Sequence, residues 1–199
     1  MKIGIMGGTF NPIHNGHLIM AEYTRYSLNL DKVLFIPTGK PPHKEIEEVA
    51  YLNHRLEMTV LATLSNSFFQ VSSMEIERKN ITYTIDTIEA LKEEYPKDEF
   101  YFIIGADSLF EIEKWKDYKK LLGLCNFAVV ERPNYNNDKI VEKIQNLKTL
   151  HNSNIVKVDS PLIEISSTEI RNRVNKGQSI KYLVPESVED YITKYGLYK

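Results

Sequence analysis

The chain has 199 residues, 42% of them hydrophobic, with 25 lysines and arginines against 27 aspartates and glutamates; a formal charge of −2 and a pI near 6.2 lack the cationic signature of a nucleic-acid binder. Its only cysteine, Cys125, allows no disulfide framework, and its apolar setting between Leu124 and Asn126-Phe127-Ala128-Val129-Val130 suits a small buried hydrophobe. Apolar runs such as Phe100-Tyr101-Phe102-Ile103-Ile104 are far below the roughly 20 residues of a membrane span, and Met1–Met6 is too short for a signal-peptide core, so a soluble cytoplasmic protein without membrane or nucleic-acid partners is expected.

Short β-branched or aromatic runs alternate with longer amphipathic stretches, the pattern of βα units winding a parallel sheet with helices on both faces. The first strand, near 2–6, runs directly into Gly7-Gly8-Thr9-Phe10-Asn11-Pro12-Ile13-His14-Asn15-Gly16-His17, a loop with three glycines and two histidines. At a strand-to-helix turn, glycines let a triphosphate approach the backbone, free amides of the next helix point at it, and the helix dipole favours negative charge. The stretch has neither the GKS/GKT ending of a P-loop nor GxGxxG spacing. His14 and His17 raise zinc as a reading, but Asn11 and Asn15 are weak ligands and no HExxH is present, so no metal-ligand set is assigned.

A helix is expected near 16–29, then a strand near 32–36 whose exit, Pro37-Thr38-Gly39-Lys40-Pro41-Pro42-His43-Lys44, is rich in turn residues. A helix near 53–65 and a strand near 68–72 follow, then a helix near 84–95 in which Ile85, Ile88 and Leu91 recur at three-residue steps. The strand near 99–104 closes on Gly105-Ala106-Asp107-Ser108; after it come a helix near 116–123, a strand near 126–131, a helix near 138–147 and a strand near 155–158. Ser166, Ser167 and Thr168 suit the cap and first turn of a helix near 167–175, and Pro185 and Gly196 suit the ends of one near 185–195. A single domain over 1–199, helical from about 163, would bury roughly 70% of the surface its unfolded chain exposes. In such a sheet the loops at strand C-terminal ends form the ligand crevice, which puts the His-rich loop and the Lys44 loop there. Alone, Asp107 reads as a helix cap, Ser166 as an ordinary N-cap and Trp115 as a core anchor, although the charged neighbours Glu113, Lys114, Lys116 and Asp117 are unlike a core strand.

Thr9-Phe10-Asn11-Pro12 followed by His14-Asn15-Gly16-His17 resembles the TFxPxHxGH signature of the nucleotidyltransferases with a Rossmann-like fold, and Ile165-Ser166-Ser167-Thr168-Glu169-Ile170-Arg171 resembles their ISSTxIR motif. Tyr83-Thr84-Ile85-Asp86-Thr87, Ile104–Ser108, Lys114-Trp115, Glu131-Arg132-Pro133 and Pro41–Lys44 further resemble the bacterial nicotinate mononucleotide adenylyltransferases, over essentially the whole chain. The resemblance implies a Rossmann-like doubly wound sheet and adenylyl transfer from ATP, accompanied by Mg²⁺, to nicotinate mononucleotide. It implies that His14, His17 and Arg171 are catalytic. Gly8, Thr9, Phe10, Gly16, Gly105, Asp107, Ile165, Ser166, Ser167 and Thr168 are implied to bind ATP, and Thr84, Thr87, Trp115 and Lys44 the acceptor. Trp115 offers a stacking surface for a pyridine ring, and the helix start at Thr84 offers unpaired amides that favour a carboxylate over an amide. Asn11 departs from the family, where Asp is frequent, and removes a carboxylate beside the phosphates. The alternatives are a preference for nicotinamide mononucleotide and a non-catalytic nucleotide-binding regulator; homo-oligomerisation stays open.

Overall fold

Six strands pair in parallel in the order β3-β2-β1-β4-β5-β6 in the computed structural model, which describes residues 1–40, 52–78, 80–131, 137–161 and 163–199. They are β1 (Lys2–Gly8), β2 (Lys32–Pro37), β3 (Phe69–Val71), β4 (Glu99–Gly105), β5 (Asn126–Val130) and β6 (Ile155–Val158). At the centre, Ile5 of β1 is in register with Leu34 of β2 on one side and Phe102 of β4 on the other. The chain steps outward from β1 to β3, then returns to the other side of β1 to begin β4. The reversal makes the C-terminal ends of β1 and β4 the switch point, where diverging loops leave a crevice.

The strand side chains alternate between two cores because Cβ direction alternates along a strand. Ile3, Ile5, Phe100, Phe102, Ile104, Phe127 and Val129 face a cluster with α3 (Thr84–Glu94), α4 (Ala106–Glu111), α5 (Tyr118–Leu124) and α6 (Asn137–His151). Met6, Val33, Phe35, Ile103, Ala128 and Val130 pack with α1 (Asn15–Leu28), α2 (Leu52–Thr63), α7 (Ser167–Asn175) and α8 (Glu186–Tyr195). Covered on both faces, β4 is buried at six of its seven residues, hence its nearly unbroken apolar run. No helix among the described residues is long and apolar enough to cross a membrane.

All six expected strands form, β1 running two residues further, to Gly8. Ile85, Ile88 and Leu91 are buried together on α3, as their spacing predicts. The sequence reading assigns no helix to α4 or to the 3₁₀ turn Ile112–Lys114 that follows it, because α4 begins directly after Gly105, the last residue of β4, and is only six residues long. The helix expected from 116 begins at Tyr118, since Asp117 takes the left-handed conformation (φ 50°) and interrupts the chain there. Gly196, also left-handed, donates its N–H to Ile192 and Thr193 carbonyls at the end of α8.

Candidate functional site

The loop between β1 and α1 is fastened from behind by groups drawn from the whole chain. Thr38 N–H donates to the Gly8 carbonyl at 2.8 Å, Arg55 Nη1 to Thr9 O at 2.6 Å, Arg171 Nη1 to Asn11 O at 2.9 Å and Ser167 Oγ to Pro12 O at 2.9 Å. In a trans peptide the carbonyl and the following N–H point in opposite directions. Holding the carbonyls of Gly8, Thr9 and Pro12 therefore turns the amides of Thr9, Phe10 and Ile13 away from the scaffold, as an anion-binding loop requires. Phe10 is held in the left-handed region (φ 47°), where a side chain costs on the order of 1 kcal/mol or more. Its ring is buried against Phe35 and His17, and Gly8 is needed because a Cβ there would lie 2.8 Å from that ring.

The expectation that α1 supplies free amides needs correction: the Asn15 N–H donates to Leu183 O at 2.9 Å and the His17 N–H to His14 O at 2.9 Å, so two first-turn amides are committed. The loop, more than the helix, offers donors. His14 is buried, its ring stacked on His17 with centroids 3.6 Å apart. The His14 backbone N–H donates to His17 Nδ1 at 3.3 Å, which makes Nδ1 an acceptor and leaves Nε2 as the protonated nitrogen of a neutral His17. A Cβ on Gly16 would meet His14 Nδ1 at 3.1 Å and Ile165 at 3.6 Å, so Gly16 protects the position of the imidazole as well as space above the helix start.

His14, Gly16 and His17 line one cleft with Val130, Glu131, Ser160, Pro161, Ile163 and Ile165. The two sequence motifs thus meet across some 150 residues of chain. In the second motif, Ser166 caps α7 by accepting the Glu169 N–H at 3.1 Å, Ser167 holds the first loop, and Thr168 Oγ1 accepts from Arg171 Nη2 at 3.3 Å. Arg171 bridges the two motifs with its two terminal nitrogens.

Gly105 ends β4 in register with Val130, beside this cleft, and Asp107 lies in the first turn of α4. Thr84 opens α3, and the half-buried Trp115 packs edge-to-face on Phe102 with centroids 6.0 Å apart, anchored in the core cluster at one side. Lys116, next to it, pairs with Asp86 at 3.2 Å and sits over the Tyr83 ring, joining the Trp115 turn to the start of α3. Thr87 points inward at 1% exposure: its hydroxyl donates to Glu75 Oε1 at 2.7 Å and accepts from Arg78 Nη1 at 3.1 Å. Lys44 and Arg132 lie outside the described residues.

Two participants are absent from the sequence reading. Tyr198, buried so that its phenol pKa is pushed up, donates its hydroxyl to Asn11 Oδ1 at 2.8 Å. Only the tertiary fold brings position 198 to position 11. Arg55 did carry a signal: it shares helical spacing with Met58, Thr59 and Ala62, all buried, so an arginine falls on the inward stripe of α2.

The cytidylyltransferase-like family model matches residues 5–173. The chain is 51% identical to the probable nicotinate-nucleotide adenylyltransferase of Thermoanaerobacter sp. (strain X514), over 100% of this chain and 95% of that protein. It is 45% identical to the protein of the same description from Moorella thermoacetica, over 100% and 92%. Among solved structures, the Plasmodium falciparum nicotinic acid mononucleotide adenylyltransferase complexed with NaAD shares the fold at TM-score 0.81 and 24% identity, covering 99% of this chain and 97% of that one. The chain belongs to the cytidylyltransferase-like family and, within it, to the nicotinate-nucleotide adenylyltransferases.

Proposed function

We infer that this protein transfers AMP from ATP to nicotinate mononucleotide, releasing pyrophosphate and forming nicotinate adenine dinucleotide, in one cytoplasmic domain spanning 1–199. The observation that carries this reading is the joining of the two motifs: Ser167 and Arg171 of the second hold the carbonyls of Pro12 and Asn11 in the first, on one cleft with both histidines. The acceptor phosphate is already ionised near neutral pH, so no protein nucleophile or general base is needed. Its oxygen attacks the α-phosphorus in line, the bond to the bridging oxygen breaks, and pyrophosphate takes the electron pair. The Phe10 and Thr9 amides and the His17 Nε2–H donate to the oxygens on which charge builds, with His14 stacked behind His17. Arg171 and the α7 N-terminus, with Ser166 to Thr168, steady the leaving pyrophosphate.

Magnesium is read as part of the substrate, MgATP, held by phosphates and water. Among the described residues no group of three or more His, Cys, Asp or Glu forms a cage for it. Asp107, at the start of α4, is assigned to the ribose hydroxyls with Gly105 giving close approach, Gly8 and Gly16 to nucleotide clearance, and Ile165 to the nucleotide wall. Trp115 and the α3 start at Thr84 are assigned to the nicotinate ring and carboxylate. Thr87, with its hydroxyl engaged by Glu75 and Arg78, contributes through the α3 turn. Lys44 is assigned to the acceptor phosphate. The deciding experiment is pyrophosphate release with MgATP and equal concentrations of nicotinate mononucleotide, nicotinamide mononucleotide and phosphopantetheine. Preference for the first is expected; preference for the amide overturns the carboxylate reading, and silence with all three favours the regulator.

A further inference from the structure

Arg55, on α2, is the largest fully buried side chain among the described residues. Burying a guanidinium is costly, and here burial pulls its pKa down while the nearby Glu75 and Tyr198 push it back up. An apolar residue of similar volume would fill the same space more cheaply. What an apolar residue could not do is hold carbonyls of two separate segments at once. Nη1 reaches Thr9 O at 2.6 Å in the loop that leads to His14 and His17. Nη2 reaches Thr38 O at 2.7 Å and Gly39 O at 3.1 Å in the segment leaving β2.

The carbonyls of Thr38 and Gly39 both go to Arg55, and Gly39 also packs against Glu75. A Cβ at Gly39 would fall 2.1 Å from the Glu75 carbonyl oxygen, so the approach admits only glycine. The planar fork of arginine thus fixes the separation of the two crevice segments, and by drawing in the Thr9 carbonyl it turns the Phe10 amide the other way. We propose that Arg55 is a positioning residue for adenylyl transfer: it sets the spacing between the loop that receives the ATP phosphates and the segment that presents the acceptor. This rests on the reaction assigned above.

The test uses Arg55→Lys and Arg55→Met in the full chain, with near-UV circular dichroism, thermal unfolding, and kcat and KM for both substrates. Lysine keeps a positive charge but gathers its donors on one nitrogen and lacks the planar fork that sets the separation of the two segments, so kcat should fall on the order of tenfold or more in a folded protein. Methionine keeps the volume without donors, and kcat should fall further, on the order of a hundredfold. In both, the KM for ATP should change far less than kcat. A folded Arg55→Lys with wild-type kcat overturns the proposal, as does a loss of rate that only tracks the folded fraction. Loss of the fold in both variants also overturns it, since the residue would then serve the core. If Arg55→Met alone fails to fold, Arg55→Lys decides. Failure of the parent reading is distinct, because wild-type protein would then release no pyrophosphate with nicotinate mononucleotide.

Discussion

In the proposed reaction His17 has to be oriented as well as to donate. Its Nδ1 accepts the His14 backbone N–H, and its ring stacks on His14 and meets Phe10 edge-to-face, so the imidazole is held in tautomer and in plane. A donor held in place in this way costs little reorganisation when charge develops in the transition state. His17→Ala should therefore cut kcat by on the order of a hundredfold or more, with a stability loss of only about 1 kcal/mol from the capping bond. Pyrophosphate release and thermal unfolding read the two effects separately, and an unchanged rate would take His17 out of the chemistry. The histidines were legible in the sequence because His14 and His17 sit in a glycine loop after a strand. Their mutual stacking was not, since it depends on the backbone angles of residues 14 to 17 and on the two side-chain rotamers, which the residue names do not encode.

At the scale of elements, the proposed acceptor side is framed by the start of α3 and the turn carrying Trp115, tied together by Lys116 over Tyr83 and against Asp86. Trp115 is half-buried and packs edge-to-face on Phe102, as the anchoring reading expects; stacking on the pyridine ring belongs to the proposed function. Trp115→Ala should raise KM for the nicotinate acceptor more than KM for ATP, with some loss of stability from the vacated contact; equal effects on both substrates would make it a structural tryptophan. A neighbouring element offers a control away from the site. Gly123 in α5 has no atom within 4 Å of where a Cβ would stand, so Gly123→Ala should stabilise the protein by about 0.5–1 kcal/mol. Calorimetry should show a higher Tm with unchanged kcat, and a lower Tm would refute it. Helices with clear apolar periodicity, such as α3, could be read from the chain. The short α4 could not, because six residues hold fewer than two turns of pattern and its glycine-led start looks like a strand end.

For the whole molecule, the notable arrangement is that the loop between β1 and α1 is held chiefly by later parts of the chain. Asn11 Oδ1 takes the Tyr198 hydroxyl, Asn15 Nδ2 donates to Tyr182 O at 2.7 Å, and α7 supplies Ser167 and Arg171. The sequence pattern gives the strand count and puts the ligand loops at the strand C-terminal ends, but such contacts follow from how α7 and α8 fold back over the sheet, and no local signal in Tyr198 announces its partner. They also give Asn11 a structural role: its amide oxygen accepts the phenol as a carboxylate would, without placing a buried negative charge by the proposed phosphate site. Tyr198→Phe removes one buried hydrogen bond and leaves the ring packing in place. It should cost about 1 kcal/mol, which for a chain of this length lowers Tm by about 2–4 °C. If the tail helps fix the loop, kcat/KM for ATP should fall several-fold alongside, and a chain lacking Tyr198 and Lys199 should move both quantities further in the same direction. A Tyr198→Phe protein with the expected drop in Tm but unaltered kinetics would confine the tail to stability, whereas parallel losses would tie the end of the chain to the chemistry at its beginning.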